Sequence, residues 1–238
     1  MKTESAGNGK AAQTVEPGLD RATIEKAYAR WAPVYDLVFG PLLDMGRRTA
    51  TNAATRIGGR ILNVGVGTGL ELPYFDKSHE VIGVDISEPM LRKAQERVDR
   101  EKLFNVKGLT VMDGANLAFA DGSFDCVVAQ FVITTVPQPE KTLDEFARVL
   151  KPGGEIVLVN HIGAERGLRA SFERWFSQHA RKLGWSPEFP FKRISDWAEK
   201  NGHVRLVERR TVPPFGVFTL MRFSREDVAS VRPAAATA

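Results

Sequence analysis

The chain has 238 residues, 43% of them apolar and 26% charged, with a formal net charge of +4. This composition is that of a globular chain long enough for one α/β domain with added segments, and the charge is too small to name a partner. A single cysteine, Cys126, excludes an internal disulfide framework, and four scattered histidines without ligand spacing build no metal site.

Residues 1–19 are small and polar with Gly and Pro, lack the apolar core of a signal peptide, and are expected to be disordered, as is the tail 224–238. Helical spacing of Ile24, Tyr28, Trp31 and Tyr35 predicts a helix from about Arg21, interrupted at Pro33. A second helix is predicted from about Pro41 to Ile57, closed by Gly58 and Gly59, so that 20–57 forms an N-terminal helical segment ahead of a sheet domain at 58–223. Strands are predicted at "RILNV", "EVIGVD", "LTVMD" (109–113), "FDCVVAQF" and "GEIVLVNH". Helices lie between them at "EPMLRKAQERVDREK", opened by Ser87 with Pro89 in its first turn, and at "EKTLDEFARVL". Short apolar runs separated by amphipathic helices indicate a doubly wound, mostly parallel sheet. Cys126 falls inside one such run and reads as a buried small hydrophobe. The longest apolar stretch, around 124–136, is too short to cross a bilayer and holds Asp125 and Gln130. Beyond His161 come a basic, aromatic segment, "RGLRASFERWFSQHARKLGW", the short helix "ISDWAEKNG", and two strand candidates, "HVRLVERR" and "FTLMRF", that would complete the sheet as a terminal hairpin.

The chemistry concentrates at the strand ends. Gly65, Gly67 and Gly69 follow the first strand in a G-x-G-x-G spacing, which serves close approach of a nucleotide or an ordinary tight turn. Asp85, at the end of the second strand, suits two ribose hydroxyls or the dipole of the following helix. Asp113 suits an adenine amino group or a turn with Gly114. Three strand tips converging on one crevice form a stronger pattern than any one of them.

"NVGVGTG", "GVDIS", "DGANLAFADGSFDCVV" and "LKPGGEIVLVNH", in this order and at these separations, resemble class I S-adenosylmethionine-dependent methyltransferases over about residues 57–161. The resemblance implies a Rossmann-like, mostly parallel seven-stranded sheet with an antiparallel C-terminal strand and extra N-terminal helices. It also implies an S-adenosylmethionine pocket, with S-adenosylhomocysteine as product. Gly65, Gly67 and Gly69 would lie on the methionine side, Asp85 and Ile86 at the ribose, and Asp113, Gly114 and Ala115 at the adenine. Met90 would pack on the adenine face and Gln130 lie near the methyl donor. Asn63 departs from the family's usual Glu or Asp, which helps hold the cofactor's ammonium group. The amide keeps an acceptor oxygen but loses the charge, which predicts about tenfold weaker cofactor binding unless other carboxylates or carbonyls compensate.

The flanks "YARWAPVYDLVFG", "VNHIG", "RWFSQHARKLGWSPEFPF" and "PPFGVFTLMRF" extend the resemblance, over about 21–223, to small bacterial phosphatidylethanolamine N-methyltransferases. This implies successive N-methylation of phosphatidylethanolamine towards phosphatidylcholine by a cytoplasmic enzyme peripherally associated with the cytoplasmic membrane. Tyr28, Tyr35 and His161 are candidate proton acceptors, and Tyr28, Trp31 and Tyr35 are candidate faces for the methylated cation. His161 and Arg174 could instead hold the lipid phosphate. Residues 166–183 carry a net charge of +4 beside Leu168, Phe172, Trp175 and Phe176, with Arg169 and Arg174 on the basic side. That pairing suits an anionic membrane, although aromatic residues at helical spacing are also ordinary core. The partners expected are phospholipid and membrane, with neither nucleic acid nor metal. A quinone C-methyltransferase is the second enzyme reading, and a non-catalytic membrane-binding protein with the same fold is the third.

Overall fold

The computed structural model describes residues 43–162, 189–213 and 216–226. A helix, α1, occupies 43–57. It is followed by β1 (Arg60–Val64), a 3-10 turn (Leu72–Tyr74), β2 (Glu80–Asp85), α2 (Glu88–Glu101), β3 (Val106–Val111) and β4 (Phe124–Gln130). Then come α3 (Pro139–Val149), β5 (Leu150–Asn160), α4 (Phe191–Asn201), β6 (Val204–Val212) and β7 (Phe218–Arg225). The strands form one seven-stranded sheet in the order β3-β2-β1-β4-β5-β7-β6. Pairings from β3 through β5 are parallel, whereas β7 runs antiparallel to both β5 and β6. The mixed sheet expected from the strand–helix alternation and closing hairpin is therefore present.

Strand alternation divides the core between two faces. Val127, Ala129, Ile156 and Leu158 pack with Phe146 of α3 and Ile194 and Trp197 of α4. Cys126, Val128, Val157 and Val159 pack with Ala50 and Ala54 of α1 and Leu91 and Ala94 of α2. The small residues of α1 let its backbone approach the sheet. Cys126 is fully buried, and burial pushes its thiol far above the usual range, as expected of a core residue rather than a nucleophile. Trp197 Nε1 donates to Asp144 Oδ1 at 2.7 Å and ties α4 to α3.

The third strand departs from its expected bounds of 109–113. It starts at Val106, which pairs with Val81, and ends at Val111. The reason is local: Asp113 Oδ1 accepts from Ala115 N at 2.9 Å, and Asn116 N donates to Asp113 O at 2.9 Å. This turn draws the chain off the sheet edge before Asp113 can extend the ladder. The fifth strand begins earlier than expected, at Leu150, because Leu150 pairs with Phe124 ahead of a bulge that returns the register at Glu155. Helix α4 starts at Phe191, three residues ahead of the expected helix.

Candidate active site

The order of strands reverses between β1 and β4, which leaves a crevice beyond their C-terminal ends. On leaving β1 the chain folds over the end of β2, where Gly65 N and Val66 N both donate to Val84 O, at 2.8 and 3.1 Å. Gly67 N then donates to Asp85 Oδ2 at 2.8 Å, while Asp85 Oδ1 accepts from Ser87 N at 2.9 Å. One carboxylate thus joins the glycine loop to the start of α2. Gly65, Gly67 and Gly69 all have positive φ, but their surroundings differ. A Cβ on Gly65 would run into Val132, whereas one on Gly67 would meet nothing nearer than Met90 Sδ at 3.9 Å. Of the three, Gly67 is therefore the position where a side chain would meet no clash, with Met90 Sδ at ordinary contact distance.

Met112 N donates to Asp85 O at 2.9 Å, which brings the exposed Asp113 and its turn beside the second strand tip. Gly114 approaches the end of β1, since a Cβ there would lie 3.1 Å from Val64 Cγ1. Ala115 belongs to the same turn through its bond to Asp113, and Ile86, 44% exposed, follows Asp85.

Gln130 ends β4 beneath α1. Its Nε2 donates to Thr51 Oγ1 at 3.2 Å, and its buried Oε1 has no hydrogen-bond partner among the described residues. An orphaned buried acceptor is costly in a finished core and suits a site that receives a ligand. Phe131 next to it holds φ at 62°, a left-handed conformation that costs a bulky residue about 1–3 kcal/mol and collects at functional sites. Its ring packs edge-on against Phe218 with centroids 4.9 Å apart. His161, just past β5, is half-buried, with Nδ1 2.9 Å from Val217 O. A carbonyl can only accept, so Nδ1 carries the proton in this contact.

Two groups escaped the sequence reading. Glu71 looks like a surface acid in "GLELPYF" yet is 5% exposed and accepts from Asn63 Nδ2 at 2.5 Å. Burial pushes its carboxyl above the usual carboxylate range. Thr51, within a run of small α1 residues, carried no signal for its contact with Gln130. The structure thus gathers Asn63, the glycines, Asp85, Ile86, Met90, the Asp113 turn and Gln130 around one end of the sheet, with His161 at the tip of β5. Tyr28, Trp31, Tyr35, Arg169 and Arg174 lie outside the described residues. Among the described residues, no three His, Cys, Asp or Glu side chains are grouped as metal ligands, and no helix is long and apolar enough to cross a membrane.

An open glycine, a strand-tip acid beside it, a thioether side chain and an orphaned amide acceptor fit an adenosyl cofactor. Residues 62–158 match the family described as a methyltransferase domain. A phosphatidylethanolamine N-methyltransferase from Cereibacter sphaeroides is 39% identical over 202 residues, covering 85% of this chain and 97% of that protein. A demethylmenaquinone methyltransferase from Paenarthrobacter aurescens is 34% identical over 59% of this chain and 58% of its own length. A crystal structure of a SAM-dependent methyltransferase from Thermotoga maritima shares the fold at a TM-score of 0.60 and 22% identity, covering 84% of this chain and 99% of that one. The chain belongs to the class I S-adenosylmethionine-dependent methyltransferases.

Proposed function

We propose that the enzyme methylates the amino group of phosphatidylethanolamine at a membrane surface, in successive transfers towards phosphatidylcholine. The observation that carries this reading is the extent of its likeness to the Cereibacter protein. That likeness spans 97% of that protein, whereas the likeness to the Paenarthrobacter quinone-pathway protein spans 58% of its length. When bound, S-adenosylmethionine supplies an electrophilic methyl group that passes to the amine nitrogen and leaves S-adenosylhomocysteine.

In this reading the chain contributes position more than strong acid–base chemistry. Asp85 holds the ribose hydroxyls while keeping the glycine loop closed on α2, and Gly67 admits the cofactor chain. Gln130 Oε1 accepts from a ligand group near the methyl donor. A lipid ammonium must lose a proton before its nitrogen attacks, and His161 Nε2 is assigned that proton. The bond between Nδ1 and Val217 O supports the tautomer this role needs. Tyr28 and Tyr35 are alternative acceptors, and they and Trp31 are proposed to face the methylated cation.

The test is transfer of labelled methyl from S-adenosylmethionine to liposomes containing phosphatidylethanolamine, with demethylmenaquinone assayed in parallel. Mono-, di- and trimethylated lipid is the expected product. Label in the quinone alone would replace this reading with C-methylation, which the partial likeness to the Paenarthrobacter protein favours as the second choice. Asp85→Ala is expected to abolish lipid methylation and spare liposome binding. Loss of both in a co-sedimentation assay would make Asp85 a structural residue.

A further inference from the structure

S-adenosylmethionine and S-adenosylhomocysteine both carry a free α-ammonium group. Moving an ammonium from water to a crevice wall requires an anion or several acceptors in return. One residue before the end of β1 stands Asn63, 1% exposed and uncharged. Its amide nitrogen is committed to the Glu71 carboxylate at 2.5 Å.

Glu71 lies two residues past Gly69, at the N-cap of the 3-10 turn Leu72–Tyr74, and is almost wholly buried. The charged groups acting on it from neighbouring elements are Arg47 of α1, which favours its ionisation, and Asp85 of β2, which opposes it. Among the described residues neither Arg47 nor any other cation forms an ion pair with it. The Asn63 amide and the backbone N–H of Glu71 itself hold the carboxylate, and a buried carboxylate paired with no cation among the described residues is expensive to keep. A cation brought by the ligand completes the arrangement.

We infer that Glu71, presented by Asn63, is the anion that receives the α-ammonium group of the cofactor. The negative charge absent from the end of β1 is thereby supplied from the turn after the glycine loop. Asn63 is a positioning residue: its amide holds the carboxylate at the strand tip.

An ammonium contact at Glu71 has a pH signature. Burial raises the Glu71 carboxyl in the cofactor-free protein, and an ammonium beside it lowers it again. Binding therefore expels a proton, and affinity falls as pH drops through the value of the free protein. The sign for folding is opposite. A carboxyl raised by folding contributes stability that is present below its unfolded value and lost as pH rises through the folded one.

The experiment is isothermal titration calorimetry of the full chain with two probes. One is S-adenosylhomocysteine; the other is methylthioadenosine, which shares the nucleoside and thioether but has no ammonium. Glu71→Gln is expected to weaken S-adenosylhomocysteine about tenfold, flatten its pH dependence and leave methylthioadenosine unchanged. It should also raise the melting temperature of the cofactor-free protein at neutral pH. The double variant Asn63→Glu/Glu71→Gln, with the carboxylate moved onto β1, should regain S-adenosylhomocysteine affinity. Unchanged S-adenosylhomocysteine binding in Glu71→Gln overturns the inference, and so do equal losses for both probes. Should that variant fail to fold, the unmodified chain decides. Affinity for S-adenosylhomocysteine falling towards acid pH while methylthioadenosine stays level supports the ammonium contact, and parallel curves refute it.

Discussion

At the scale of single residues, Gly65 and Gly67 look alike in the sequence and share a left-handed backbone, yet they do different work. Alanine at either position pays about 1–2 kcal/mol for its conformation. At Gly65 the new methyl also drives into Val132, which adds about 1–3 kcal/mol of overpacking. At Gly67 it meets only Met90 Sδ, at an ordinary contact distance of 3.9 Å. Gly65→Ala is therefore expected to shift the urea midpoint markedly. Gly67→Ala should shift it less while weakening S-adenosylhomocysteine at least tenfold, because the methyl occupies the approach to the cofactor chain. Equal effects of the two on stability, with cofactor binding intact in Gly67→Ala, would move the crevice away from this loop. The triplet itself was legible from its spacing. Which glycine borders the crevice was not, because Val132 and Met90 arrive from distant parts of the chain.

Among elements, α3 holds the crevice loop through two side chains, Arg148 and Glu145. Arg148, in its last turn, grips Glu145 with two bonds of 2.7 and 2.9 Å and donates to the carbonyls of Leu117 and Phe119, each at 2.8 Å. Glu145 Oε2 in turn accepts from Leu117 N at 2.7 Å. The segment that carries Asp113, Gly114 and Ala115 is thus fastened to α3 by a partly buried network rather than a surface ion pair. Arg148→Met is expected to cost about 2–3 kcal/mol, since it strands two carbonyls and a carboxylate. The pH dependence follows from the Arg148 hydrogen bond, which holds Glu145 below its ordinary value of 4.5. Stability from this contact is full above that value and lost as pH falls through the folded one, so chemical denaturation at pH 3 and pH 7 should show a smaller difference for Arg148→Met than for the parent. In sequence Arg148 was one more basic residue near a helix C-terminus. Three of its acceptors, Leu117 O, Phe119 O and Asp121 Oδ1, lie on a loop that only folding brings close.

For the whole molecule, the proposed lipid substrate requires a bilayer contact. The basic, aromatic segment 166–183, outside the described residues, is the sequence feature proposed to make it. Reversing charge at Arg169 and Arg174 should weaken co-sedimentation with anionic liposomes and leave S-adenosylhomocysteine affinity unchanged. Undiminished liposome binding would assign the contact elsewhere. The sequence by itself determined the sheet, its closing hairpin and the glycine loop, because those features are written in short-range periodicity and in residues that few backbones accommodate. The cofactor class followed instead from the resemblance of its motifs to a known family. Tertiary structure alone decided that Gln130 meets Thr51 across 79 positions and keeps an oxygen unsatisfied among the described residues. It alone decided that Glu71, an acid in a turn-like stretch, is buried against Asn63. Burial and pairing are properties of neighbours in space, and a charge changes its meaning when water is removed from it.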